Sequence, residues 1–223
     1  MKLCDFIAPE NSGKQLWQMV ISNITKGTHP YNFQGFCMAL VTQWLLELRF
    51  PEGRTPDELG RYLLKEKLGN KGYEGIATSQ DIYERCENDA QMISRHSGMA
   101  LQLGTTSGKE LSYKSHWLLV RSRIYGVPAD ETIRLHDQSK VYSGLIGIEG
   151  NRNKLLKIFM GDNWAHAIGV HSTTTHVYIF DPNYGVFVFD QKKQGAIASF
   201  FEVLWNDYGV AAGTIADVTA VAP

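Results

Sequence analysis

Apolar residues near the start of the chain recur at steps of three and four, the spacing of one helix face. A first apolar stripe runs over residues 16–24, and the segment from Gly27 to Pro30 breaks it. A second stripe begins near Phe36 and ends before Pro51. It consists of Cys37, Leu40, Val41, Trp44, Leu45 and Leu48. The pattern predicts two helices in residues 1–50, with Cys37 in the first turn of the second.

The end of the chain alternates between β-rich runs and turn residues. The runs cover residues 165–171, 176–181 and 186–190, and two short connectors separate them. Because short connectors join antiparallel neighbours, the pattern predicts an antiparallel meander. A helix over residues 194–208 follows, and then a tail of small residues. The apolar face of this helix consists of Ile197, Phe200, Phe201, Leu204 and Trp205.

The middle of the chain, residues 51–155, gives weaker signals. Thr55, Pro56 and Glu58 have the pattern of a helix start, with an N-cap, a proline in the first turn and a capping-box glutamate. We also expect a helix over residues 80–96 and short strands at 116–120 and 144–148.

No repeat, low-complexity stretch or long linker divides the chain. The sequence therefore predicts a single α+β domain over residues 1–223. Its parts are a helical part over residues 1–50, a variable region over residues 51–155, and an antiparallel sheet with a C-terminal helix over residues 156–223.

Composition and charge exclude several classes of protein. The 223 residues carry 22 Lys plus Arg against 23 Asp plus Glu, a net charge of −1, so no global field attracts nucleic acid. Three widely spaced cysteines without a CxxC pair fit neither a disulfide framework nor a cysteine-rich zinc site, and they suit a reducing compartment. No apolar run is long enough to span a bilayer, and the first residues lack the pattern of a secretory signal.

The connector of residues 172–175 suggests how the first two strands of the meander pair. We assume that this hairpin turns about the Thr173–Thr174 bond. The opposite pairs are then Val170 with Val177, Ile168 with Ile179, and His166 with Asp181. His166 and Asp181 would lie on one face, where a carboxylate can hold one imidazole nitrogen out of water. A shift by one residue would send the histidine to the other face.

A histidine held by a carboxylate is a general base, and Cys37 is a candidate nucleophile for it. The free N–H groups and the dipole of a first helical turn favour a thiolate. These residue types indicate acyl transfer, in which Cys37 attacks a carbonyl, His166 moves protons and Asp181 fixes the histidine. The backbone N–H of Cys37, with the side-chain amide of Gln34 or Asn32, would stabilise the oxyanion.

Three segments carry this chemistry. They are Gly35-Phe36-Cys37-Met38-Ala39-Leu40 running to Trp44, Ala165-His166-Ala167-Ile168-Gly169-Val170, and Phe180-Asp181-Pro182-Asn183-Tyr184-Gly185. Together they resemble the YopT/AvrPphB-type family of papain-like (clan CA) cysteine proteases. The resemblance implies Cys37 as nucleophile, His166 as base and Asp181 as the residue that orients the base. It also implies a papain-like α+β fold, in which the helix with the cysteine packs on an antiparallel sheet that carries the histidine and the aspartate.

The resemblance further implies a biological role. The family consists largely of bacterial effectors, so we expect a thiol endopeptidase and virulence effector, made in the bacterial cytoplasm and delivered into a host cell without a Sec signal peptide. Its substrate would be a host protein, including one peripherally associated with a membrane. No cofactor, metal ion or nucleic acid partner is expected. Residues 51–155 would help to shape the substrate groove, and they match nothing that would identify the substrate.

Two other functions are compatible with the same residues. Glutamine deamidation or transglutamination runs through the same thioester chemistry and would leave the partner chain intact. A catalytically inactive effector module would keep the fold and act by binding alone.

Each candidate residue also has a structural interpretation. A cysteine on an apolar helix face is usually a small buried hydrophobe, and an aspartate before Pro-Asn-Tyr-Gly is common turn chemistry. Cys4 and Cys86 are expected to be incidental, the latter because its acidic neighbours disfavour a thiolate.

Other residues compete with the proposed base and its partner. In the assumed register His171 and His176 oppose each other, and two imidazoles alone make a poor metal site. Asp162 and Asp190 are alternatives to Asp181. Trp164 would either cover the imidazole of His166 or belong to the core.

Overall fold

The computed structural model describes residues 13–17, 37–48, 53–63, 80, 129–135, 153–159, 165–209 and 216–221. Their elements are β1 (Gly13–Trp17), α1 (Cys37–Glu47), α2 (Pro56–Tyr62), β2 (Ala129–Leu135), β3 (Asn153–Phe159), β4 (Ala165–Ser172), β5 (His176–Asp181), β6 (Gly185–Asp190), α3 (Gln194–Asp207) and β7 (Ala216–Val221). The strands form one antiparallel sheet in the order β1-β6-β5-β4-β3-β7-β2. Strand β4 is therefore central. None of the helices in these ranges is long and apolar enough to cross a membrane.

Elements with strong local signals form where the sequence predicts them. The meander β4-β5-β6, helix α1 and helix α3 have bounds close to those expected. Helix α2 has the predicted capping box, in which the Thr55 side chain accepts from the Glu58 N–H and the Glu58 carboxylate accepts from the Thr55 N–H.

Elements that depend on pairing with distant strands differ from the prediction. The stripe over residues 16–24 predicts a helix, but Gly13–Trp17 is a strand, because its backbone pairs with β6 at the edge of the sheet. The tail of small residues contains β7, which lies between β2 and β3. Residues 18–24, 81–96, 116–120 and 144–148, where further helices and strands are expected, lie outside the described residues.

The register of the β4-β5 hairpin differs from the assumed one by two residues. Val170 lies opposite Ile179, and Gly169 lies opposite Phe180. The turn centres on Thr174 and Thr175, because the hydroxyl of Thr173 accepts hydrogen bonds from the N–H groups of Thr175 and His176. A shift of two residues leaves every side chain on its original face, so the assumed register is wrong while the assumed faces are right.

The two faces of the sheet are covered by different helices. On one face, α3 packs on a cluster that contains Ile168, Val170 and Ile179, with Phe200 and Leu204 from the helix. On the other face, α1 packs on β4 and β5, and the Trp44 ring lies 5.4 Å from the ring of Phe180. The structure is therefore the expected α+β arrangement, in which the helix that carries Cys37 packs on an antiparallel sheet.

Gly169 sets how closely α1 approaches the sheet. A Cβ at this position would lie 2.9 Å from Trp44 Cε3 and 3.2 Å from Val41 Cγ1. The Trp44 side chain has no exposed surface, and its Nε1 donates to the Pro56 carbonyl at 3.0 Å. The indole is therefore held by packing and a hydrogen bond. The close approach of α1 to β4, with Cys37 at the first residue of the helix, depends on the absence of a side chain at Gly169.

We predict that Gly169→Ala lowers the free energy of unfolding by about 1–3 kcal/mol, the cost of overpacking a rigid core. Gly195→Ala is the matched control, because a Cβ at Gly195 meets no atom within 4 Å. The control should unfold at the same urea concentration as the parent or slightly higher, since alanine favours the helix. Urea denaturation followed by circular dichroism measures both. A Gly169→Ala variant as stable as the parent would show that the close packing of Trp44 is not a constraint.

Candidate active site

Cys37 is the first residue of α1, and the residue is partly buried. The four residues that follow it are buried. Its sulfur receives hydrogen bonds from the backbone of Met38 and of Ala167, and it is hydrogen-bonded to the side chain of His166. A helix N-terminus with free N–H groups and an adjacent imidazole is the environment that stabilises a thiolate.

His166 and Asp181 form a buried hydrogen-bonded pair. The His166 Nε2 lies 3.0 Å from the Asp181 Oδ1, and the two residues are 4% and 0% exposed. The observed register makes them diagonal rather than direct neighbours, because it places position 183 opposite His166, and Asp181 lies two residues before that position. Diagonal neighbours on one face remain within reach of long side chains.

The turn that follows Asp181 holds its carboxylate. The backbone N–H of Asn183 donates to Oδ1 at 2.8 Å, and the N–H of Tyr184 donates to the Asp181 carbonyl at 3.0 Å. Gly185 closes the turn with a φ of 102°, a conformation that glycine tolerates. The turn interpretation of Asp181 and its pairing with His166 are therefore both correct structurally.

The charges of the three residues reinforce one another. Burial alone would lower the pKa of His166, but the charge and hydrogen bond of Asp181, with those of Cys37, raise it to about 10. Burial alone would raise the pKa of Cys37, but the hydrogen bond and charge of His166 lower it below its ordinary value. The geometry therefore favours the charged pair, a Cys37 thiolate beside a His166 imidazolium, over the neutral pair.

Two side chains that the sequence analysis missed contact this site. The Tyr208 hydroxyl lies 3.0 Å from the His166 Nε2 and 3.0 Å from each carboxylate oxygen of Asp181. The buried side chain of Gln80 accepts from the N–H of Ala39 in the first turn of α1 at 3.0 Å. The signal for Tyr208 is its position three and four residues after Trp205 and Leu204 on the apolar face of α3. A lone glutamine far from α1 carries no such signal.

Most of the other candidate residues are outside the described part of the chain, and two histidines pair differently from the prediction. Gln34 and Asn32, the amides expected at the oxyanion hole, are outside the described residues, as are Cys4, Cys86, Asp162 and Trp164. His171 opposes Tyr178 and His176 opposes Asp190, so the expected pairing of the two histidines is wrong, because the turn centres one residue later. Within the described ranges, no three His, Cys, Asp or Glu side chains are placed to hold a metal ion.

Comparisons with known proteins agree with this fold. Residues 22–217 match the peptidase family described as Yersinia/Haemophilus virulence surface antigen. The chain is similar to the crystal structure of the Pseudomonas avirulence protein AvrPphB. The two superpose with a TM-score of 0.57 and share 16% of their residues, over 92% of this chain and 100% of AvrPphB. PatoxP, a cysteine protease-like domain of the Photorhabdus asymbiotica toxin PaTox, gives a TM-score of 0.33 and 13% identity, over 90% of this chain and 85% of that one. No curated protein sequence matches the chain. The family match and the similarity to the AvrPphB structure confirm the papain-like fold expected from the sequence.

We predict that the rate at which iodoacetamide alkylates Cys37 rises with pH with a midpoint below 9.0, the ordinary thiol pKa, because His166 favours the thiolate. In His166→Ala the midpoint should rise to 9.0 or above, since burial then acts on the thiol without the imidazolium. The rate at pH 7 should fall about tenfold, because the smaller thiolate fraction is partly offset by higher nucleophilicity. Peptide mass spectrometry locates the modified residue.

The control for this experiment is His176→Ala, which removes an exposed imidazole from the far end of β5. Its alkylation profile should match the parent. A midpoint that stays in place in His166→Ala would mean that the imidazole does not activate the thiol.

Proposed function

Since this chain belongs to the YopT/AvrPphB-type family of papain-like cysteine peptidases, we propose that it is a cysteine protease in which Cys37, His166 and Asp181 cleave a protein substrate. The observation that carries the proposal is the buried contact of 3.0 Å between His166 Nε2 and Asp181 Oδ1, with the same imidazole hydrogen-bonded to Cys37. A base fixed on one side by a carboxylate and on the other by a thiol is the arrangement of nucleophilic acyl transfer.

The proposed reaction has two steps. The Cys37 thiolate attacks the carbonyl carbon of a peptide bond, and the His166 imidazolium gives its proton to the departing amine, which leaves a thioester on the sulfur. His166, now neutral, takes a proton from water as the water attacks the thioester, and the new carboxyl end is released with the thiolate restored. Asp181 accepts from Nε2 throughout, which holds the ring in place and stabilises its positive charge.

The negative oxygen formed in each step needs hydrogen-bond donors. The backbone N–H of Cys37 is one, and we propose Gln34 or Asn32 as the source of the second, because both precede the nucleophile closely in the chain. The Oε1 of Gln80 accepts from the Ala39 N–H, which leaves the N–H groups of the residues before Ala39 for the sulfur and the oxyanion.

The family and the fold support a role in virulence. We propose that the protein is an effector delivered into a host cell, where it makes a limited cut in a host protein, including one peripherally associated with a membrane. This part of the proposal rests on the family described as a virulence surface antigen and on the similarity to an avirulence protein. In this proposal residues 51–155 help to shape the substrate groove.

We predict that incubation with a host-cell proteome creates new protein N-termini that Cys37→Ser does not create. His166→Ala should slow their formation about 10²–10⁴-fold, the usual contribution of a general acid and base. Labelling of N-termini followed by mass spectrometry measures both effects. Cys86→Ala serves as the control and should cleave like the parent, because its acidic neighbours do not favour a thiolate.

Two other results would contradict the proposal. Intact partners that gain about one mass unit or a cross-link only in the presence of Cys37 would indicate a glutamine deamidase or transglutaminase. A biological effect that persists in a folded Cys37→Ala variant would indicate a binding module.

A further inference from the structure

We propose that Tyr208 is a positioning residue for the base of this site, and that its hydroxyl holds His166 and Asp181 together. The inference rests on the proposed function, since it assigns a role within the same triad. Tyr208 lies beyond the three segments that resemble the protease family, and it reaches the site as the C-cap residue of α3.

The hydroxyl closes a triangle of polar atoms. The Tyr208 oxygen, the His166 Nε2 and the Asp181 Oδ1 lie 3.0 Å from one another, and the Asp181 Oδ2 is also 3.0 Å from the Tyr208 oxygen. The ring of Tyr208 also packs against the imidazole, with the two centroids 4.9 Å apart and the planes tilted by 46°. The tyrosine therefore contacts both oxygens of the carboxylate and the imidazole ring.

The hydrogen-bonding capacity of the hydroxyl matches its surroundings. An ionised carboxylate can only accept, so the single proton of the Tyr208 hydroxyl is donated to Asp181. The two lone pairs of the Tyr208 oxygen then face the Nε2–H of His166 and the side-chain amide of Asn183, which donates at 3.0 Å. The hydroxyl presents its proton to the negative group and its oxygen to the positive group, and so stabilises both charges.

The hydroxyl keeps its proton over the working range of pH. Burial and the negative charge of Asp181 both raise the pKa of Tyr208 far above its ordinary value. Tyr208 therefore neither supplies nor removes protons in the reaction. Its contribution is to fix the rotation of the carboxylate and to exclude water from the contact between Nε2 and Oδ1.

The fold delivers Tyr208 to this place through α3. The apolar face of α3 is anchored on the sheet by a cluster that includes Phe201, Leu204 and Trp205. The Tyr208 N–H donates to the Leu204 carbonyl at 3.0 Å, and Gly209, with a φ of 63°, ends the helix immediately afterwards. Because His166 and Asp181 lie on the sheet face that α3 covers, the last turn of the helix reaches them.

Tyr208→Phe tests this role, because it keeps the ring and removes the hydroxyl. Histidine labelled with ¹³C at Cε1 gives the titration of each imidazole by NMR, and the signal that disappears in His166→Gln identifies His166. In the parent chain this signal should titrate at about pH 10. In Tyr208→Phe it should titrate about one pH unit lower, the scale of one hydrogen bond to a charged group. Alkylation of Cys37 by iodoacetamide at pH 7 should slow several-fold in the same variant.

The matched control is Tyr178→Phe, which removes a hydroxyl from the same sheet on the face away from His166. It should leave the His166 titration unchanged. Asn183→Ala is a second test with an exposed residue, because it removes a donor to the Tyr208 oxygen but keeps the backbone N–H that holds Asp181. Asn183→Ala should lower the pH at which His166 titrates, by less than Tyr208→Phe does. If Tyr208→Phe does not unfold cooperatively, Asn183→Ala serves as the test in its place.

An unchanged His166 titration in a folded Tyr208→Phe variant, or in Asn183→Ala where the first variant does not fold, would overturn the role of Tyr208. An equal shift in Tyr178→Phe would overturn it as well, because the effect would then not be local. None of these measurements needs a substrate. A failed search for Cys37-dependent cleavage would count against the protease but would leave the result for Tyr208 in place.

Discussion

Burial of the Asp181 carboxylate is the constraint on which the rest of this structure depends. The residue has no exposed surface, and an ionised carboxylate out of water costs several kcal/mol unless it is paired and hydrogen-bonded. Its donors are the His166 ring from β4, the backbone N–H of Asn183 in the turn, and the Tyr208 hydroxyl from the end of α3. These donors meet at one point only when the strands, the turn and the helix are all in their native positions. One charged group thus ties together three elements that local propensity alone would leave independent.

The nucleophile and the base reach each other from opposite sides of the sheet. Helix α1 covers the face of β4 that contains Gly169, while His166 shares the other face with Ile168 and Val170. They meet where β4 begins, because Cys37 is the first residue of its helix and His166 is the second residue of its strand. The Nε2 of His166 is engaged by Asp181, so the other ring nitrogen is the one that can serve Cys37. The close packing of α1 at Gly169 positions Cys37 from one face of the sheet, and the packing of α3 with Tyr208 positions His166 from the other face. Both therefore affect the distance between Cys37 and His166.

Sequence alone predicts the parts of this molecule whose signals are local. The helix of Cys37, the meander and the capping box at Thr55 follow from periodicity, turn residues and cap chemistry. The assumed register of the hairpin is wrong by two residues, yet it puts His166 and Asp181 on the correct face, because the side-chain period of a strand is two. Strand β1 and the role of Gln80 could not be predicted, because each depends on a partner more than 40 positions away. Tyr208 lies between these cases, since the helix period gives its face but not the identity of the side chains it meets.

The charged pair of Cys37 thiolate and His166 imidazolium has little effect on how the free energy of unfolding changes with pH near neutrality. His166, with a pKa raised to about 10 from 6.5, contributes stability that is fully present below 6.5 and is lost as pH rises through 10. Cys37, with a lowered pKa, contributes stability that is present above its ordinary value of 9.0 and is lost as pH falls through the lowered value. Between pH 6.5 and 9.0, and above the lowered pKa of Cys37, the folded pair holds one proton, on the imidazole, and the unfolded pair also holds one, on the thiol. The contributions of His166 and Cys37 to the pH dependence of the free energy of unfolding therefore have opposite signs. Folding moves the proton from the sulfur to the nitrogen without a net uptake or release of protons. A reactive thiolate can therefore be maintained at neutral pH without making the fold itself sensitive to pH there.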